Sequence, residues 1–227
     1  MFGFFERLLP AFPPEEPTQP PKGLLAFCLH YTKGMWIPLC LMSIFTALAA
    51  ILEVSLFRFM GQLVDWLADK NPETFLAEES STLIYMSIVL LVAMPLVGLL
   101  HSLLVHQTLL GNYPMSIRWL AHRFLLKQSV SFYADDFAGR ISTKVMQTAL
   151  SVRETVMKLL DVLMYVAVYF TSMLVLVASA DWRLMIPMLV WFVAYVAIQF
   201  HFVPKLRAIS AEQADARSMM AGRIVDS

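Results

Sequence analysis

The stretch "TLIYMSIVLLVAMPLVGLLHSLLVHQTLLGNYPMSI", Thr82 to Ile117, contains no Asp, Glu, Lys or Arg. As helix its roughly 35 residues measure ~50 Å, whereas about 20 suffice to cross a hydrocarbon core of ~30 Å. Such a segment crosses a membrane and keeps going. The rest of the chain agrees: 59% of residues are hydrophobic and 15% charged, which excludes a water-soluble domain and predicts an all-α polytopic membrane protein. Formal charge sums to zero, so nothing points to a nucleic-acid partner and only the distribution of charge is informative. Cys28 and Cys40 lack the spacing of a metal or redox motif and read as reduced packing residues.

Three more runs are long enough to span: "MWIPLCLMSIFTALAAIL" from Met35, "VLMYVAVYFTSMLVLVASA" from Val162 and "LMIPMLVWFVAYVAIQFHFVP" from Leu184. The predicted spans are about 35-66, 82-107, 160-180 and 183-204. Asp181, Trp182 and Arg183 alone separate the last two, a tight hairpin with Trp182 as interfacial anchor. Pro95, Pro187 and Pro204 are expected to kink their helices and carry no other role. The segment Asp65 to Ser81 holds five carboxylates against Lys70, while Arg118, Arg123, Lys127, Arg140, Lys144, Arg153 and Lys158 crowd the central polar segment. Positive loops stay inside, which predicts cytoplasmic amino- and carboxy-terminal ends and an outward acidic loop.

"GLLAFCLHYTKG", residues 23-34, is too short to cross and reads either as an interfacial elbow helix or as the start of the first span. Residues 1-22, "MFGFFERLLPAF" followed by "PPEEPTQPPK", lack the basic start and cleavage site of a secretory signal. They are predicted to be a retained, flexible, proline-rich tail without an assigned role.

Past the membrane, Ile117, Leu120, Ala121 and Phe124 form one apolar stripe, and Ile141, Val145, Ala149, Val152, Val156, Leu159 and Leu163 form another. Two membrane helices are therefore prolonged as a packed pair, joined by the polar tip "SFYADDFAGR". In it Phe132, Tyr133 and Phe137 offer aromatic area, Asp135 or Asp136 a helix cap, and Gly139 a reversal. Composition leaves two readings open: a docking knob for a partner, or a solvated turn whose aromatics pack on their own helices.

"FLLKQSVSFYADDFAGRISTKV", Phe124 to Val145, resembles the first intracellular loop of the transmembrane domain of ATP-binding cassette (ABC) exporters, where two aromatics, an acid, a spacer and Gly-Arg lead into the third membrane helix. The interfacial helix, the short outer turn and "DWRL" look like that family too, so the resemblance covers about Gly23 to Ser227. It implies a first intracellular loop at about 113-158 whose coupling segment 131-140 (Ser131, Phe132, Tyr133, Asp135, Asp136, Phe137, Gly139, Arg140) sits in a cleft of a nucleotide-binding domain. It also implies a second transmembrane domain, identical or not, and a bacterial inner membrane. Where the family carries an arginine and then Asn-Asp on the third helix, this chain has Lys144, Gln147 and Thr148.

No G-x-x-x-x-G-K-[ST] occurs, so ATP and Mg are expected on a nucleotide-binding domain outside residues 1-227. The sequence stops at "MMAGRIVDS", before a second intracellular loop would turn, so 35-227 reads as a truncated domain with four of six helices. Without the other two, Ser43, Thr46, Ala47 and Ala50 are expected to lack neighbours. The reading is a transmembrane subunit or fragment of an ATP-driven exporter; the rivals are a non-transporting scaffold and a non-functional truncated product.

Glu53 and Arg58 lie five apart near the first span, about 140° around a helix, and do not face each other. A charge at bilayer depth faces water or a partner, so Glu53, Arg58, His101, His106 and Gln107 are candidates to line a central cavity. The plainer readings are snorkelling for Arg58 and hydrogen-bonded packing for the histidines and Gln107.

Overall fold

The computed structural model describes residues 3–70, 74–134 and 138–225, and among them there is helix but no strand. Among the described residues, four stretches are long and apolar enough to cross a membrane: Trp36–Ala68, Phe75–Leu125, Ile141–Ala180 and Trp182–Arg207. The protein is an all-α integral membrane protein. It divides into two compact units, Met1–Ser172 and Met173–Ser227, described in turn.

In the first unit a short helix α1 (Gly3–Glu6) precedes the elbow helix α2 (Leu24–Tyr31) and the long α3 (Trp36–Asp69). Elbow and span are separate elements because Gly34 adopts a φ of +80° and turns the chain between them. A Cβ there would meet nothing within 4 Å, so Gly34→Ala is expected to cost about 1 kcal/mol through the backbone alone. Thermal unfolding in detergent measures it, and Gly34→Asn should cost less. Cys28 and Cys40 are free thiols, and burial pushes the Cys28 thiol up, keeping it protonated.

The second crossing runs without a break through α4 (Phe75–Ile88), α5 (Met94–Leu103) and α6 (Leu110–Leu125), joined by two wide π turns at Val89–Ala93 and Leu104–Leu109. Each π turn precedes a proline. Met94 N–H reaches back five residues to Val89 just before Pro95, and Leu110 N–H does the same to Val105 ahead of Pro114. Proline offers no N–H to the carbonyl four residues back and its ring crowds that carbonyl, so widening the preceding turn accommodates it. Pro114 leaves the Leu110 carbonyl without its ordinary donor; Arg153, on α8 (Ala138–Ala180), donates Nη1–H to it at 3.1 Å.

Two apolar clusters form. One gathers Leu39 and Met42 of α3, Leu104 and Leu109 of the second π turn, Tyr113 and Ile117 of α6, and Ala149 and Val152 of α8, with Cys28 of the elbow. The other, at the far end of α3, joins Phe59 to Met86 and Val89. At that end Lys70 bridges Glu78 (2.8 Å) and Glu79 (3.1 Å), closing the acidic turn. The elbow is pinned by Tyr113. Because the Thr32 hydroxyl proton goes to the Cys28 carbonyl (2.6 Å), the buried Tyr113 hydroxyl is the donor in its 2.9 Å bond to Thr32.

Three expectations are corrected. Within the expected tail, residues 5–16 are held: Leu9 is buried in the first cluster, Phe12 meets Trp119 edge-on at 5.3 Å, and side chains of the second crossing bond the segment's main chain. Ser43, Thr46 and Ala50 do have neighbours, being buried within this unit. The α8 stripe holds through Val156, but Leu159 and Leu163 are 47% and 62% exposed, and Leu160 packs on the core instead. Farther along α8, Asp161 and Tyr165 meet Thr46 and Glu53 of α3.

In the second unit, the end of α8 passes through a single 3-10 turn (Trp182–Leu184) into α9 (Met185–Val225). Asp181 caps the turn, its carboxylate accepting from Arg183 N–H at 2.8 Å, and Trp182 is exposed as an anchor should be. On α9, Trp191 stacks on Tyr195, whose hydroxyl accepts from Gln199 at 2.7 Å, in helical i,i+4 steps.

Candidate functional site

The tip between α6 and α8 is the first candidate. After Leu125 the helix tightens, with Lys127 N–H bonding the Phe124 carbonyl and Gln128 N–H that of Leu125. Ser129 then accepts from Phe132 N–H and opens a short helix α7 (Val130–Ala134). Tyr133 sends its hydroxyl back to the Leu125 carbonyl at 2.7 Å, satisfying an acceptor at the helix end and tying α7 to α6. Phe132 leans edge-on against Tyr133 (5.4 Å) and stays 42% exposed. Both rings are exposed, Tyr133 at 38%, and Tyr133 is the one tied to α6 by a hydrogen bond.

Beneath α7 lies a cavity of about 370 Å³ lined by Arg118, His122, Tyr133, Ile141 and Ser142 among others. Of Ser131, Gly139 and Arg140 only the helical backbone is described, and Asp135, Asp136 and Phe137 lie outside the described residues.

The second candidate is polar and lies in the candidate spans. Thr46 (6% exposed) on α3 donates its hydroxyl toward Asp161 Oδ1 on α8, and His101 Nε2 of α5 stands 3.2 Å from the same hydroxyl oxygen and 3.4 Å from Asp161. One hydroxyl has one proton, and the Met42 carbonyl one turn back stands 3.0 Å from the same oxygen as a second acceptor. Whether Thr46 donates to the carboxylate or to that carbonyl, its proton is not available to His101, which must present Nε2–H to Thr46. Further along the same two helices Tyr165 donates its hydroxyl to Glu53 Oε2 at 2.6 Å. The carboxylates Asp161 and Glu53 are thus each held by a hydroxyl from the opposite helix, as groups at such depth require. Asp161 keeps 41% of its side chain exposed and His101 28%, so the first group opens to one side.

Of the five sequence candidates, the structure brings His101 and Glu53 into these α3–α8 contacts. Arg58 and His106 are exposed and Gln107 is half-buried, and among the described residues none of the three meets either group. Asp161 and Tyr165 escaped the sequence reading. The signal was present: an aspartate and a tyrosine four apart share one face of a helix. Among the described residues no three His, Cys, Asp or Glu side chains are grouped to hold a metal ion.

The family model described as ABC transporter transmembrane region matches residues 39–227. An uncharacterized ABC transporter ATP-binding protein of Haemophilus influenzae is 46% identical over 227 residues, which is all of this chain and 37% of that protein's length. No solved structure matches. The helix-only architecture, the four crossings and the matched region agree, and the chain belongs to the ABC transporter transmembrane-region family.

Proposed function

We propose that the chain forms the membrane part of an ATP-driven exporter, in which the α6–α7–α8 tip receives the movement of a nucleotide-binding domain and α6 and α8 carry it to the membrane. The observation that carries this reading is the tip itself: Tyr133 is bonded back onto α6 and Phe132 beside it is exposed. A surface aromatic beside a cavity is the anchor that a docking cleft takes up. The concentration of Lys and Arg in this region supports a cytoplasmic tip, and the bacterial source of the 46% identical relative supports a bacterial inner membrane.

ATP and Mg are then bound by the partner domain, a second transmembrane domain completes the pathway, and Glu53, His101 and Asp161 contribute polar groups to it. A cysteine at Phe132 in the intact transporter is expected to cross-link to the nucleotide-binding domain with a short thiol reagent. Failure to cross-link in an assembled, ATP-hydrolysing complex would overturn the proposal.

A further inference from the structure

The side chains that meet the amino-terminal segment lie on one face of the second crossing. Thr108, Asn112, Trp119, Arg123 and Lys127 recur at spacings of four, seven, four and four, a single stripe of a helix with 3.6 residues per turn. Opposite them stand main-chain oxygens in sequence order. Thr108 donates its hydroxyl to the Phe5 carbonyl (2.7 Å), and Asn112 divides its two amide protons between Glu6 (2.9 Å) and Leu9 (2.8 Å). Trp119 Nε1–H reaches the Pro13 carbonyl (3.2 Å), and Arg123 those of Pro14 (3.2 Å) and Glu15 (2.8 Å). Lys127 ends the row on the Glu16 carboxylate at 3.4 Å.

Phe5 and Glu6 offer their carbonyls from the end of α1, and from residue 10 onward Pro10, Pro13 and Pro14 keep the segment out of helix and remove donors of its own, so helix-borne donors reading carbonyls is the recognition chemistry that it invites. The strap is graded along its length. Leu9 is buried in the core, whereas the Arg123 and Lys127 bonds are exposed, and exposed charged contacts are weak and screened by salt. Its weak end lies three residues short of α7, which begins at Val130.

We propose that residues 5–16 are a latch on α6: anchored at Leu9 and releasable from Glu16 backward, it slows the transport cycle when engaged by tying the helix that carries the tip to the amino-terminal segment. This rests on the reading of the tip as the receiver of motion. It is tested in the intact transporter, with Cys28 and Cys40 replaced by Ser, by placing cysteines at Glu16 and Lys127 and joining them with a reducible cross-link. Cross-linking is expected to lower ATP turnover about threefold, the factor given by a barrier change the size of one weak hydrogen bond, and reductant to restore it.

Trp119→Phe combined with Arg123→Ala, which keeps the ring against Phe12 and removes three donated bonds, is expected to raise turnover by a similar factor. Absence of the cross-link in the assembled transporter, or a cross-link that leaves turnover unchanged, overturns the latch. The Phe132 cross-link is scored in the same membranes. If it forms while the locked strap is without effect, the latch alone is wrong; if it fails, both readings fall.

Discussion

Arg153→Ala is expected to destabilise the α6–α8 pair by about 1–3 kcal/mol, and the same change in a Pro114→Ala background is expected to cost less than half as much. The reason is a single carbonyl. Pro114 denies Leu110 the N–H that an α-helix would supply, and Arg153 Nη1 fills the vacancy from α8 with a charge-assisted bond of 3.1 Å. The Arg153 side chain is 15% exposed while Leu110 is itself exposed, so water replaces part of the lost bond and the loss falls toward the lower end of that range. Alanine at position 114 restores the intrahelical donor, and the arginine then has less to do. A four-variant cycle of unfolding free energies in detergent isolates the coupling, because the small void left by the proline ring appears on both sides of the cycle and cancels. Equal losses in both backgrounds would show that Arg153 acts through its packing or through Glu154, which it also meets at 3.2 Å.

Thr46→Val is expected to cost about 1–2 kcal/mol, near the upper end for hydrogen bonds between membrane helices. Valine matches threonine in shape, so what is lost is the hydroxyl that joins His101 and Asp161. It leaves the carboxylate facing an apolar surface, and leaving an acceptor unpaired costs more than replacing both partners. Thr46→Ser should be close to neutral, and Asp161→Asn, which keeps an acceptor at the same atom, should lose less than the valine variant. Thermal unfolding of the purified transporter ranks the three. Should valine prove as harmless as serine, water reaching the exposed side of Asp161 is the carboxylate's true partner.

What the sequence reveals and hides follows from the range of the interactions. The crossings were legible because apolar length is a local property: the uncharged run through Ile117 reappears as one unbroken helical stretch, Phe75–Leu125. The tip was legible in outline, since "SFYADDFAGR" breaks two periodic stripes, but which of Phe132 and Tyr133 is tied to α6 was not. It depends on whether a hydroxyl reaches the Leu125 carbonyl. The amino-terminal segment was misread for a clearer reason. Its prolines correctly exclude regular structure, yet what holds it is a set of donors more than 100 residues away along the chain, such as Thr108 on Phe5 and Asn112 on Leu9. Asp161 hid at a boundary: a charge next to an apolar run marks either the edge of a span or a polar contact inside it, and only the register of α3 against α8 tells them apart.

The two π turns act on the second crossing as a phase shift. A turn closed over five residues instead of four carries one residue in excess, and one residue is about 100° of rotation in an α-helix. Everything downstream of Leu104–Leu109 is therefore aimed by that surplus: Tyr113 at Thr32, Asn112 at the strap, Leu110 at Arg153. Removing a single residue from the wide turn would leave the composition and hydropathy of the crossing almost untouched, yet it would swing all three away from their partners together. In this helix the count of residues, more than their kind, sets the bearing of the arm.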